Sequence, residues 1–170
     1  MSRRNRGFTV IEVLVALLIT TIGIVGVASL QVVSLQQNRN TLLRDQALQA
    51  GNDILDRMRA NPDTAYAPVG IDARPSSSFD CVAHTCSRTQ MKDFDIAQWK
   101  CRINPLDDNG DLYEVCNGFT ITQASLPGGK GSIAKVGTVH EVTVQWFSDR
   151  QGNSTSITLR TQSCSQISSC

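Results

Sequence analysis

The most constraining feature of the chain is one long apolar run near its N-terminus. Residues 13–30 are nearly all apolar, and no charged residue lies between Glu12 and Arg39. A helix of about 20 apolar residues is long enough to cross a lipid bilayer. The sequence therefore predicts a membrane-spanning helix with a single acid, Glu12, close to its N-terminal edge.

The charges around this run predict the orientation of the helix. Arg3, Arg4 and Arg6 precede the run, and no comparable cluster follows it. Cytoplasmic flanks are enriched in Lys and Arg, so we expect the N-terminus in the cytoplasm and the C-terminus outside. The chain has 16 basic and 15 acidic residues, so without these three arginines 13 bases oppose 15 acids. This slightly acidic remainder argues against a nucleic-acid partner.

Six cysteines lie downstream of the apolar run. None forms a C-x-x-C pair or another common zinc spacing, so a metal site is not indicated. An even number of cysteines in a region rich in Ser, Thr and Gly predicts disulfides and an oxidising compartment, although reduced core thiols are the alternative. Short loops close at the least entropic cost, which favours pairing between cysteines that are close in sequence. The alternative is pairing across the domain, such as a Cys116–Cys170 bond, which would tie the C-terminal tail onto the sheet. Proximity favours Cys81–Cys86, Cys101–Cys116 and Cys164–Cys170.

Two ordinary explanations of the apolar run each leave a feature unexplained. A secretory signal peptide has an apolar core of about 7 to 15 residues and ends at an A-x-A-like site. Here the run is longer, and Val27-Ala28-Ser29 is a weak cleavage site. A plain signal anchor does not explain Glu12, because an acid costs roughly 2.5 to 3.5 kcal/mol at the bilayer centre and less near its edge.

The sequence GFTVIE at residues 7–12 lies between the basic leader and the apolar helix. In this context it resembles the class III signal of type IV prepilins. The resemblance implies that a membrane prepilin peptidase cuts after Gly7 and methylates the new N-terminal residue, Phe8. It also implies that Glu12 meets the free amine of a neighbouring subunit during assembly. A buried carboxylate becomes tolerable when a partner supplies the opposite charge, so this account explains the acid.

The predicted helix continues beyond the apolar run as an amphipathic segment, so that it spans residues 8–60. Charged residues lie largely off its apolar stripe, which would pack on a globular domain. Asn61-Pro62 ends the helix, because proline disfavours α geometry in the residue before it. The stripe consists of Leu43, Ala47, Ala50, Ile54 and Met58, widened by Leu48 and Leu55.

The rest of the chain predicts an antiparallel sheet after a loop and a short helix. The clearest strand signal is the alternation of Val142, Val144 and Trp146 with polar residues. A long N-terminal helix followed by an antiparallel sheet gives an α+β class, the arrangement of the pilin fold. In chain order we expect a loop (61–91), a short helix (92–102), strand-like sequence (112–124), a loop (126–131) and a hairpin (139–147 with 154–161).

Three downstream segments make the resemblance more specific within the type IV prepilins. MRANPDTAY (58–66), LPGGKGSI (126–133) and VTVQW (142–146) resemble motifs of the PilV-type minor pilins, in matching order. Residues 72–124 match that pattern poorly and contain four of the six cysteines. The resemblance implies a minor pilin.

The sequence offers few candidates for chemistry. His84, between Cys81 and Cys86, is predicted to be a loop histidine rather than a metal ligand, and His140 is predicted to lie on the surface at the start of a strand. The acidic segment 107–114 fails the EF-hand spacing and is interpreted as a solvated turn. The glycine-rich PGGKGS lacks the phosphate-loop spacing. We therefore predict no enzyme, no cofactor and no metal site.

These observations together predict four segments. They are a cleaved leader (1–7), an apolar membrane or filament-core half of the helix (8–35), an amphipathic half (36–60) and a β-rich periplasmic domain (61–170). The protein would be a single-pass inner-membrane protein that reaches the pilus and cell surface after assembly. The implied partners are other minor and major pilins, prepilin peptidase, the inner-membrane assembly platform and membrane lipid.

Two other functions stay open at this point. A minor pseudopilin of type II secretion would share the prepilin segment, so residues 6–30 do not distinguish it from a pilin. A signal-anchored periplasmic binding domain that never polymerises would keep its leader, residues 1–7.

Overall fold

The structure is a computed structural model that describes residues 7–62, 64–77, 79–149 and 151–162. The expected α+β arrangement, a long N-terminal helix followed by an antiparallel sheet, is confirmed. The chain forms two compact units, Met1–Thr41 and Leu42–Cys170, and the first helix contributes residues to both. The elements are α1 (Val10–Ala60), α2 (Arg88–Ile103), α3 (Glu114–Gly118), β1 (Lys130–Val136), β2 (Val139–Phe147) and β3 (Ser154–Gln162).

In the N-terminal unit, α1 presents apolar side chains around its whole circumference. Every large hydrophobic side chain from Val10 to Leu35 is at least 49% exposed. The hydroxyls of Thr20, Thr21 and Ser29 donate to carbonyls three or four residues earlier, at 2.8 to 3.0 Å. Polar groups satisfied within the helix and an apolar exterior are what a lipid environment requires.

In the C-terminal unit, the same helix buries one apolar stripe against the core. Leu43, Ala47, Ile54 and Met58 are buried as the periodicity predicts, and Leu55 joins them. Gly51 is also buried, and a Cβ at that position would overlap Leu159 Cδ1 of β3. The glycine thus allows the helix to approach the sheet closely.

In the ranges that the structure describes, the sheet has three antiparallel strands in the order β1-β2-β3. The predicted hairpin is confirmed, because Val139–Phe147 pairs with Ser154–Gln162 in a register that sets Val142 opposite Leu159. Ile133 of β1 lies on the other side of Val142. The alternating side chains of β2, including Val144, are buried against the helices, so β2 forms the centre of the core.

Helix α2 completes the core through one large aromatic residue. Trp99 is fully buried, and its indole N–H donates to the carbonyl oxygen of Ala50 on α1 at 2.8 Å. The backbone of β1 comes so close to this ring that a Cβ at Gly131 would collide with it. A glycine is therefore required in β1 at this contact.

Three predictions of secondary structure need correction. Helix α2 begins at Arg88 and not at residue 92, because Ser87 and Gln90 form a capping box that starts it earlier. The prediction of a strand at 112–124 is wrong. That segment contains a turn and α3, which a disulfide links to α2. Strand β1 was not predicted, and its first two residues had been assigned to the loop at 126–131.

Candidate functional site

The segment with the prepilin-like sequence lies at the start of α1. Gly7, Phe8 and Thr9 precede the helix, and Phe8 is 84% exposed. A Cβ at Gly7 would meet no atom within 4 Å. Among the described residues, none therefore crowds the peptide bond between Gly7 and Phe8.

Thr9 caps the helix that follows. The backbone N–H of Glu12 donates to the Thr9 carbonyl at 3.1 Å and lies 3.4 Å from the Thr9 hydroxyl oxygen. This places Glu12 in the first turn, where the free backbone N–H groups favour a negative charge. Among the residues that the structure describes, Glu12 has no ion-pair partner.

The helix after Glu12 is apolar enough to cross a membrane. Its most apolar window has a mean hydropathy of 2.6, and none of that window is buried within the protein. A soluble core helix of such composition would be mostly buried. This exposed apolar surface, which follows Glu12 along the helix, is suited to contact with lipid or to packing against similar helices.

Within the described part of the chain, two disulfides crosslink the globular unit. Cys81 is joined to Cys86, and Cys101 of α2 is joined to Cys116 of α3. These are two of the three pairs that sequence proximity favoured. The bond at Cys116 rules out the alternative Cys116–Cys170 pairing. The third favoured pair, Cys164–Cys170, lies outside the described residues, as do the leader arginines.

The disulfide loop around His84 carries no metal-binding arrangement. His84 is exposed between the two bonded cysteines, as predicted. In the described ranges, no group of three His, Cys, Asp or Glu side chains is placed to hold a metal ion. The acidic segment forms a turn in which Asp107 accepts N–H bonds from Asn109 and Asp111, both at 2.9 Å.

A buried polar cluster links the end of α1 to α2. Arg57 Nη1 lies 3.0 Å from Asp95 Oδ1, and the Tyr66 hydroxyl donates to Asp95 Oδ2 at 2.7 Å. Burial, followed by the hydrogen bond to Asp95, raises the pKa of Tyr66 well above its ordinary value. Tyr66 therefore stays a neutral donor, and the cluster joins α1 to α2 through side-chain hydrogen bonds.

Lys100 of α2 fixes the loop at residues 70–73, which follows the bridge between Val69 and Ile133 of β1. Its ammonium donates to the carbonyl oxygens of Gly70 and Ala73 at 2.9 and 2.6 Å. Burial lowers the pKa of Lys100 to about 8. The residue is thus a structural cation, which the sequence analysis did not single out.

Two family models match adjoining parts of the chain. The model for the prokaryotic N-terminal methylation motif matches residues 2–28. The model for type IV pilin Tt1218 matches residues 29–97, which include most of α1 and more than half of α2. The chain is a type IV prepilin-like protein. No curated protein and no solved structure matches it significantly.

This family membership gives the exposed helix a role. The methylation motif of a prepilin-like protein implies processing by a prepilin peptidase and assembly with other pilins. The apolar surface of α1 is the kind of surface that both a membrane anchor and a helix-packed filament need. Pilins are structural proteins, so the site of this prepilin-like protein is a segment for processing and assembly.

For one residue of this prepilin-like protein, the prediction from the sequence is wrong. His140 was predicted to lie on the surface, but it is only 8% exposed. It takes one of the inward positions of β2, in alternation with Val142 and Val144. The alternation of the strand was the available signal, because it extends back from Val142 to His140.

Proposed function

We propose that this prepilin-like protein is a minor pilin of the PilV type. It takes part in starting the assembly of a type IV pilus and supports pilus-dependent motility and attachment. The observation that carries the proposal is the continuity of Gly7, Glu12 and an exposed apolar helix in one segment. That segment serves membrane insertion first and helix packing in a filament later.

The three PilV-like motifs support the proposal because they supply buried side chains to the core. They contribute buried side chains from the end of α1, the turn before β1 and the centre of β2. Residues that specify a core are those that a shared domain architecture would retain. The buried members are Met58, Tyr66, Leu126, Ile133, Val142, Val144 and Trp146.

The residues at the start of α1 support the proposed maturation. Prepilin peptidase cuts after Gly7 and methylates the amine of Phe8. Glu12 of one subunit then pairs with the N-terminal amine of its neighbour. Within lipid or a packed helix bundle, such a pair offsets the cost of burying either charge alone.

Charge and cysteine chemistry support the proposed location of the domains. The protein spans the inner membrane once, with its leader in the cytoplasm and its globular domain in the periplasm. Disulfides at Cys81–Cys86 and Cys101–Cys116 suit an oxidising compartment. Its partners are other minor and major pilins and the inner-membrane assembly platform, and it reaches the cell surface within the pilus.

The Glu12→Ala variant tests the assembly role. This substitution removes a charge from lipid, so we expect membrane insertion equal to or better than that of the wild type. Its amount in sheared pili should fall about tenfold or more, because losing one partner of a buried ion pair costs several kcal/mol. Immunoblots of membrane and pilus fractions provide the measurement.

A matched control is Asp45→Asn, which removes an exposed acid from the same helix beyond the apolar run. Incorporation of this variant should be unchanged. Normal incorporation of Glu12→Ala into pili would contradict the pairing. A deletion strain that kept its pili but lost protein export would assign the protein to type II secretion instead.

A further inference from the structure

His140 occupies an unusual position at one corner of the core. It lies on β2 between Lys135 of β1 and Thr161 of β3, next to the last pair of the β2–β3 ladder. Its imidazole lines a cavity of about 460 Å³ together with Leu55 and Met58 of α1. Tyr66 lines the same cavity. We refer to His140, Leu55, Met58, Tyr66 and Thr161 as the His140 corner.

The imidazole is held in this corner without a partner for one nitrogen. Among the side chains that the structure describes, His140 Nδ1 is the buried nitrogen or oxygen that lacks a hydrogen bond. A neutral imidazole can tolerate this, because only one of its nitrogens must donate. In an imidazolium both nitrogens carry protons, so protonation would leave a buried charged donor unsatisfied.

Among the described residues, the charged groups around the corner do not compensate for protonation. From α1, the rim of the cavity carries Arg59, which pairs with the exposed Asp56. From β1, Lys135 sits beside His140 in the ladder. Burial, and after it the charge of Lys135, lowers the pKa of the His140 imidazole below its ordinary value of 6.5.

The other neighbours of His140 that the structure describes are uncharged or already paired. Tyr66 is neutral and donates to Asp95, which also accepts from Arg57. From β3, the cavity is lined by Thr161 and Gln162. Glu141 is adjacent in sequence, but it pairs with Arg160 directly across the strand pair. Among the described residues, the lining of the cavity includes no carboxylate.

We propose that the His140 corner is an acid-sensitive switch, in which protonation of His140 opens the ends of β2 and β3 while the rest of the core stays folded. A strand end beside a cavity has few contacts to lose and can open locally. The Trp99 contact and the Val142–Leu159 pair lie further along the elements and stay closed. The proposal does not depend on pilus assembly.

The direction of the pH dependence follows from proton linkage. The closed corner holds the proton more weakly than the open one, so lowering the pH below about 6.5 favours opening. One proton changes the opening equilibrium by at most about tenfold per pH unit.

Amide hydrogen exchange and histidine NMR test this switch on the full chain in lipid nanodiscs. The chain has two histidines, so the buried His140 and the exposed His84 give separate ring signals. Between pH 7 and 5, we expect the protection of amides at 139–141 and 160–162 to fall, by up to about tenfold per pH unit after correction for intrinsic exchange. Protection at 142–146 should not change, and the exchange change should follow the His140 titration.

Variants separate the switch from general acid sensitivity. His140→Gln keeps a polar side chain but cannot titrate in this range, so the acid-dependent exchange should disappear, whereas His84→Gln should behave like the wild type. Lys135→Gln should raise the pKa of His140 and weaken the acid-dependent loss of protection. The proposal is overturned if His140→Gln retains the acid-dependent exchange. It is equally overturned if the wild type loses protection uniformly across β2, or if His140 titrates without any local change in amide exchange. Both of these results come from the wild type, so they do not require His140→Gln to fold.

Discussion

Arg57 of α1 and Asp95 of α2 form an ion pair inside the globular part, with 3.0 Å between Arg57 Nη1 and Asp95 Oδ1. The side chains are only 18% and 8% exposed. Tyr66 donates to the other oxygen of the same carboxylate. This contact ties the helix that begins in the membrane segment to the helix that carries Trp99.

Removal of this carboxylate should destabilise the domain strongly. Asp95→Ala leaves Arg57 and the Tyr66 hydroxyl without their acceptor, so we expect a loss of about 3 kcal/mol in the free energy of unfolding. The two tryptophans, Trp99 and Trp146, are both buried in the C-terminal unit. Urea unfolding followed by tryptophan fluorescence therefore measures this unit within the full chain.

The matched control for Asp95 is Asp56, which forms an exposed ion pair with Arg59 on α1. Asp56→Ala should change stability by less than about 0.5 kcal/mol, because exposed pairs contribute little. Equal losses in the free energy of unfolding for Asp95→Ala and Asp56→Ala would show that burial does not increase the contribution of the Arg57–Asp95 pair.

Lys100 should give the domain an unusual alkaline pH dependence. Its folded-state pKa is about 8 against an ordinary 10.5, so the folded state binds this proton more weakly than the unfolded state does. The contribution of Lys100 to stability should therefore rise as the pH increases from about 8 toward 10. Unfolding free energies at several pH values should show this rise in the wild type and not in Lys100→Met.

Lys135→Met is the control for Lys100, because Lys135 is exposed on β1. It should retain the alkaline rise. Tyr66 and Lys130 have raised pKa values, so their contributions to stability are lost only at higher pH, and the window from 8 to 10 belongs to Lys100. A wild type with flat stability across that window would contradict the assignment.

The two disulfides should differ in their effect on stability. Cys101–Cys116 closes 15 residues between two buried sulfurs, whereas Cys81–Cys86 closes five in an exposed loop. Chain entropy predicts losses of about 3 and about 2 kcal/mol for the paired Cys→Ala variants, and burial should add to the first. Equal unfolding midpoints for the two double variants would contradict this ranking.

The elements with strong periodicity could be predicted from the sequence. The stripe from Leu43 to Met58 and the hairpin around Val142 depend on local spacing, which the sequence displays directly. Asn61-Pro62 ends α1 where the proline rule places the end. The family resemblance of residues 7–12 is also local, and the methylation-motif match includes these residues.

The remaining features depend on contacts between distant parts of the chain. In strand β1, Gly131 allows the backbone to pass beside Trp99, a contact that no local pattern contains. The segment expected to be a strand at 112–124 instead folds as a turn and helix bonded to α2 through Cys101–Cys116. His140 and Lys100 are polar residues in buried places, which composition alone assigns to the surface.

The central claim is that this chain is processed as a prepilin, and the N-terminus of the mature protein tests it most directly. Mass spectrometry of the N-terminal peptide, from membranes of cells with active prepilin peptidase, should show a chain that begins at Phe8 with a methylated amine. A bulky or charged residue in place of Gly7 should leave the chain uncut, which provides the control. A wild-type protein that retains residues 1–7 in those membranes would contradict the account.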